Sequence, residues 1–330
     1  MRRRQLLTAL LAVPLLGVAA CGTTDAPVSA ATPAGTPAAA SGPVTVTDAR
    51  GKEVTLPAPA TRVVSLEWNT TEDVVTLGVQ PVGVADIKGY GSWVTAAPLT
   101  GAPVDVGTRT EPSLESVAEA EPDLILGILG SVPESAMAQM EKIAPVVLLT
   151  GADASRPLDL MRENLTTTAT LLGKQAQAES VLSDLDAALA AGRQAIGEAG
   201  KAGTPFSLSY IYAEGNSFSL RMHGPGSAAI ALATELGLTP AWTEPGDKGW
   251  GLSTLDLEGL TKLPQGTEFG YWGNADTADP VADLTGNKLW NSLPFVKAQR
   301  VHRMGVGIWI YGGPASAKQW IADVVGAVAS

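Results

Sequence analysis

The chain has 330 residues, 45% hydrophobic and 17% charged, a composition that suits a folded protein with real cores and excludes a disordered one. Its formal net charge of −11 removes the electrostatic basis for holding a nucleic acid. Aromatic residues make up only 5%, yet eight are Trp against four Phe and five Tyr, so indole is the commonest aromatic group.

Arg2, Arg3 and Arg4 precede an apolar run from Leu6 to Ala20. A basic start, a short apolar core and small residues at its end describe an export signal. The run is shorter than the ~20 apolar residues that a membrane span needs. It leads to Cys21, the single cysteine of the chain, so no intramolecular disulfide can form. Leu16-Gly17-Val18-Ala19-Ala20-Cys21 resembles a bacterial lipobox, with cleavage before Cys21 and acylation of its thiol. Arg3-Arg4-Gln5-Leu6-Leu7 fits both a generic Sec signal and a twin-arginine (Tat) signal. Gly22 to Pro43, rich in Ala, Thr, Pro, Gly and Ser, buries too little to fold and reads as a tether. Residues 1–20 are thus the expected signal peptide and 21–43 a disordered tether. The body is expected to be exported and lipid-anchored to the cell membrane on its extracytoplasmic side.

Val44 to Leu56 alternates around Asp48-Ala49-Arg50-Gly51 and predicts a small β-hairpin. Arg62 to Leu66 reads as a buried strand, followed by a helix that starts near Asn69 and closes at Gly78. Val82 to Ala85 is the next strand. Leu114 to Ala120 is a helix stopped by Pro122, and Asp123 to Leu126 a strand. Ser135 to Ile143 is again a helix, and Val146 to Leu149 a strand. Strands alternating with helices imply a parallel sheet, so 44–155 is read as an α/β lobe. Leu158, Met161, Leu165, Ala169 and Leu172 then mark one face of a helix. Gly173 interrupts the pattern, which resumes from Ala176 to Ile196. A helical stretch with α/β pattern on both sides predicts a brace at 156–174 joining two lobes. The second lobe, 175–330, carries strands at Phe206–Tyr212, Glu268–Trp272 and Gln299–Met304. Its helices lie at Ser227–Leu236, Leu257–Leu263 and Ala315–Val328. Trp290 and Trp320 sit on apolar helical patterns and are expected in the core.

Motifs for chemistry are missing. No glycine-rich run fits a phosphate loop or a dinucleotide fingerprint, and Gly-x-Ser-x-Gly is absent. His223 and His302 have no further His or Cys at ligand spacing. Ser227, after His223-Gly224-Pro225-Gly226, stands at a helix start, where a capping role is the plain reading. The sequence therefore points to no enzyme, no catalytic residue and no metal site of its own. A cell-surface hydrolase is the competing class.

Arg62-Val63-Val64-Ser65-Leu66-Glu67-Trp68, followed by Leu77-Gly78-Val79 and Pro81 to Asp86, resembles the periplasmic binding proteins for iron siderophores and cobalamin. Tyr90 to Val94, Asp105 to Glu115 and Glu121 to Leu124 are similar to the ferric-hydroxamate branch. So are Ala241-Trp242, Trp250-Gly251, Leu289 to Val296 and Ile308 to Gly313. The similarity keeps its motif order from about Arg62 to the C-terminus.

The resemblance implies an α/β fold of class III type, two Rossmann-like lobes joined by a single long α-helix, with the ligand in a shallow cleft between them. It implies a solute-binding lipoprotein of an ABC importer that captures a ferric hydroxamate-type siderophore and delivers it to the permease. A binder of haem, cobalamin or a catecholate siderophore is the alternative within the same fold. Arg109 matches the arginine that donates to the hydroxamate oxygens; as a plain surface residue it would pair with Glu111 or Glu115 instead. Trp93, Trp242, Trp250 and Trp309 match aromatic positions lining the family's cleft. That branch places a tyrosine after the strand at Leu124–Leu126, whereas here Gly127 to Pro133 has none. Ser131, Tyr271 and Tyr311 are the hydroxyl groups that could stand in for it. Glu134 and Glu258 fall at the positions of the two glutamates that dock onto the permease. Iron would arrive already wrapped by its chelator, so no cofactor is expected, and the protein is expected to act as a monomer.

Overall fold

The computed structural model describes residues 42–214, 217–274, 276 and 278–330. Cys21, the expected signal and nearly all of the tether lie outside these residues. The described chain opens with the hairpin β1 (Val44–Thr47) and β2 (Glu53–Leu56), paired antiparallel. Asp48 closes its turn by accepting from the backbone N–H of Arg50 and Lys52.

Next come β3 (Val63–Ser65), α1 (Trp68–Thr76), β4 (Gly83–Val84), α2 (Ile87–Trp93), β5 (Val104–Asp105) and α3 (Leu114–Glu119). They are followed by β6 (Leu124–Ile128), α4 (Glu134–Ile143) and β7 (Val146–Leu149). The strands form an all-parallel sheet in the order β5-β4-β3-β6-β7. β3, β6 and β7 are nearly continuous apolar runs because helices cover both faces of the sheet. Alternate residues serve the two faces. Val63, Leu124, Leu126 and Val147 pack with Val74 of α1 and with Leu77 just after it. Val64, Ile125 and Val146 pack with Val117 of α3 and Met140 of α4 on the other face.

Helix α5 (Pro157–Leu172) begins with Pro at its first turn, where no N–H is missed, and ends at Gly173 with φ 65. Its first half lends Met161 to the core of the second lobe, and its second half lends Leu165, Ala169 and Leu172 to the first. One helix thereby belongs to both cores, which is the expected brace. The chain continues at once into α6 (Gln175–Glu198), which packs along the C-terminal helix Pro314–Ala329. Leu165 is fully buried, so truncating it to Ala would cost about 3 kcal/mol.

The second lobe holds β8 (Pro205–Glu214), β9 (Ser217–His223), α7 (Ala228–Glu235), β10 (Thr239–Pro240) and β11 (Leu252–Leu255). A 3-10 turn at Leu257–Lys262, β12 (Glu268–Tyr271), three short helices between 280 and 297, and β13 (Val301–Arg303) complete it. Its sheet runs β11-β9-β8-β12-β13, with β10 beside the start of β8. β8–β9 and β9–β11 are antiparallel and the remaining pairs parallel, so this sheet is mixed. The strands β9 and β11 have no counterpart in the sequence-based prediction. Ser227 caps α7, accepting from the N–H of Ile230, and Trp290 and Trp320 are buried at 2% and 1% exposure.

Candidate functional site

Two loops at the carboxyl edge of the first lobe's sheet, after β3 and after β5, feed one place. After β3 the chain is extended at Glu67, which caps α1 by accepting the Trp68 N–H on its Oε1 at 2.8 Å. The same oxygen accepts from Arg109 Nη1 at 2.6 Å. Arg109 stands in the loop after β5. There Gly107 takes φ 97, and a Cβ on it would lie 3.1 Å from the Glu111 carbonyl. The loop is pinned by the bridge between Gly107 and Pro112. The guanidinium lies over the Trp68 ring at 4.0 Å and 5.6 Å from the Trp309 ring. A planar cation stacked on indole and gripped by a carboxylate is fixed in orientation while its other N–H groups stay available. Its ion-pair partner is Glu67, not Glu111 or Glu115. Because the pair is partly exposed, it adds at most ~1 kcal/mol to stability.

Arg109 and Glu67 face Arg221, Trp250, Trp309 and Tyr311 across a cavity of about 180 Å³. The lobes meet there through aromatic rings. Trp68 of the first lobe meets Trp309 of the second edge-on at 4.8 Å. Trp93, at the end of α2, reaches across to Trp272 at 5.0 Å, Trp309 at 5.9 Å and Tyr210 at 6.3 Å. Tyr311 sits 5.0 Å from both Trp250 and Trp309. Such edge-to-face contacts contribute about 1 kcal/mol each beyond the area they bury.

Behind Tyr311 lies His223, 1% exposed and stacked on it at 5.8 Å, with Nε2 3.5 Å from the Tyr311 hydroxyl. Burial, helped by the nearby Arg221 charge, pushes the His223 pKa down to about 3, so the ring is neutral. Burial likewise holds the Tyr311 hydroxyl well above its ordinary value, despite the nearby Arg221 charge. The hydroxyl and the neutral imidazole form the polar floor of an otherwise aromatic wall.

Of the residues picked from sequence, the structure gathers Arg109, Trp93, Trp250, Trp309 and Tyr311 around this cavity and seam. It sends three elsewhere. Trp242 is 6% exposed in the second lobe's core beside Leu257 and Leu260, with the Lys262 Nζ 5.6 Å from its ring. The Trp242 side chain borders a separate open depression shared with Glu258. Tyr271 points to the far face of β12, where its hydroxyl meets Asp279 at 3.1 Å. Burial and that carboxylate push its pKa up to about 12. The two-residue period of a strand puts its neighbour Trp272 in the seam instead. Ser131 is 2% exposed, and its Oγ accepts the Ile128 N–H at 3.1 Å, closing the turn after β6. Glu134 and Glu258 are exposed in the first turns of α4 and the 3-10 turn, where a carboxylate complements the helix dipole.

Sequence reasoning assigned no role to Glu67, Trp68, Trp272 or Tyr210. For Glu67 and Trp68 a signal existed: they directly follow the carboxyl end of a parallel strand, where open α/β sheets place ligands. Among the described residues no cluster of three or more His, Cys, Asp or Glu is placed to hold a metal ion.

Residues 63–305 match the sequence profile described as periplasmic binding protein. The iron(3+)-hydroxamate-binding protein FhuD of Escherichia coli is 29% identical over 260 residues, covering 79% of this chain and 84% of that one. The probable siderophore-binding lipoprotein YfiY of Bacillus subtilis is 25% identical over 291 residues, covering 84% and 85%. Among solved structures, the Fe3+–Desferal-bound siderophore binding protein FhuD from Vibrio cholerae superposes with a TM-score of 0.72 at 29% identity, over 82% of this chain and 98% of that one.

Proposed function

The chain belongs to the periplasmic binding protein family, and on that premise we propose that it captures a ferric hydroxamate-type siderophore between its lobes and delivers it to an ABC permease. The observation that carries this reading is the Arg109 guanidinium, stacked on Trp68 and turned to the cavity. Hydroxamate oxygens bound to Fe(III) keep partial negative charge and spare lone pairs, and a fixed planar fork of N–H donors suits them. The chelator's methylene arms lie against Trp93, Trp250, Trp309 and Tyr311, whose rings give area at little rotamer cost. The iron is cargo and enters fully coordinated, so the protein supplies orientation rather than ligands.

A cavity of about 180 Å³ is smaller than the ~300 Å³ lower bound for sites that enclose a drug-sized ligand. The chelate therefore rests at the mouth of the cleft or parts the Trp93 seam as it enters. A trianionic catecholate complex would meet Arg109 and Arg221 but also Glu67, a poorer balance than a neutral chelate finds. Around this site the remaining parts fall into place as a delivery device. Cys21 carries a lipid anchor, the tether lets the body move beside the membrane outside the cytoplasm, and Glu134 and Glu258 dock the two lobes on the permease. The protein binds its cargo as a monomer and does not transform it.

The test is intrinsic Trp fluorescence of the body truncated after Cys21, titrated with ferrioxamine B, ferrichrome and a ferric catecholate. Iron chelates quench nearby indoles, so saturable quenching at about micromolar or lower concentration by a hydroxamate is expected. Quenching by haem, or binding of cobalamin, with no response to any hydroxamate would keep the fold and overturn the ligand.

A further inference from the structure

The carboxylate beside Arg109 is doing more than capping a helix. Glu67 uses one oxygen, Oε1, for both the Trp68 N–H and the Arg109 Nη1. Among the described residues its other oxygen, Oε2, takes no hydrogen bond, and the side chain lines the cavity. Arg109 and Arg221 are the cations among the cavity's lining residues and Glu67 is the one acid, so the negative charge of the wall is concentrated at its carboxylate. A positively charged or N–H-bearing arm of a bound molecule would find an unfilled acceptor at Oε2. An anionic arm of the same shape would meet a negative charge in a partly water-excluded site, where repulsion is stronger than in bulk solvent.

We propose that Glu67 sets the charge class of the cargo, admitting chelates that carry a cationic or N–H-donating arm and turning away equally shaped anionic ones. This rests on the siderophore reading above and refines it. Glu67 is here a specificity residue whose free oxygen meets the ligand, distinct from its service to Arg109 and to the start of α1.

The experiment separates the two roles with Glu67→Gln, whose amide oxygen can still accept from Trp68 and Arg109 but carries no charge. Wild type and variant are titrated by Trp quenching with three ferric trihydroxamates of one scaffold. These are ferrioxamine B with its pendant ammonium, its N-acetyl derivative, and its N-succinyl derivative bearing a carboxylate. In the variant, affinity for ferrioxamine B should fall about tenfold, which equals ~1.4 kcal/mol. The N-acetyl complex should stay within about twofold, and the N-succinyl complex should bind more tightly than to wild type. One common factor for all three, or no change in any, would overturn the assignment and leave the siderophore reading standing. If wild type binds none of the three but takes ferrichrome, the Glu67 assignment falls and the siderophore reading stands; if it takes no ferric hydroxamate at all, both fall.

Discussion

Helix α1 presents acidic groups to two different worlds. At its start, Glu67 faces the cleft, paired with a guanidinium and left with one unused oxygen. Five and six residues on, Glu72 and Asp73 face the interface between lobes, buried at 0% and 3% exposure, and among the described residues neither is paired with a cation. Glu72 instead accepts the Ser316 N–H at 2.8 Å and the Ser316 hydroxyl at 2.7 Å. The backbone N–H groups of Gly313 and Ala315 also favour its charged form. These donors open the C-terminal helix, which has no side-chain cap of its own, so the first lobe caps a helix of the second. A Cβ on Gly312 would overlap the Glu72 carboxyl and one on Gly313 the Asp73 carboxyl, so the fit depends on bare backbone. Burial outweighs the hydrogen bonds and pushes the Glu72 pKa from its ordinary 4.5 up to about 6. Burial and the Glu72 charge hold Asp73 well above its usual range. The same kind of residue thus becomes an open, cavity-facing group where a cation accompanies it, and a dry latch where only dipoles do.

The largest expected effect that separates the two is on stability. Glu72→Ala strips a buried helix start of its acceptor and should cost about 3 kcal/mol, read as a lowered urea midpoint at unchanged slope. Glu67→Ala removes a partly exposed cap and should cost about 1 kcal/mol. Equal costs would mean that the latch does not hold the lobes.

The pH dependence should be somewhat smaller. A carboxyl at about 6 in the folded chain and at its ordinary 4.5 in the unfolded one binds its proton more tightly when folded. Stability therefore declines as pH rises through 4.5 to 6, by about 2 kcal/mol, and Asp73 acts in the same direction. Glu72→Gln, a mimic of the protonated form, should flatten that slope in urea unfolding between pH 4.5 and 6.5. A wild-type slope retained in the variant would locate the titration elsewhere.

How much of this was legible in the sequence follows from the range over which each signal acts. Four of the five parallel strands of the first lobe read correctly because strands buried on both faces are short unbroken apolar runs, as in Val146–Leu149, while the two-residue β5 carried too little pattern to be seen. Strand β9 was hidden because its exposed Ser217, Ser219 and Arg221 break up the apolar run, and nothing local marks its pairing with β8 and β11. The brace was visible from periodicity alone, although its two-core membership needed coordinates. Arg109 and Trp309 stood out by resemblance, yet the ion pair joins residues 42 positions apart and no local spacing announces it. Tyr271 and Trp272 could not be told apart because every residue of β12 is buried, so burial gave no parity. Trp242 is likewise a core ring, chosen for its residue type before its neighbours were known.

The central claim is tested most directly by Arg109→Ala, with ferrioxamine B affinity and urea stability measured on the same preparation. Loss of the fixed guanidinium should weaken binding at least tenfold, about 1.4 kcal/mol or more, while stability moves by ~1 kcal/mol or less. Unchanged affinity in a variant of a protein that does bind the chelate would place the ligand away from Arg109 and contradict the account.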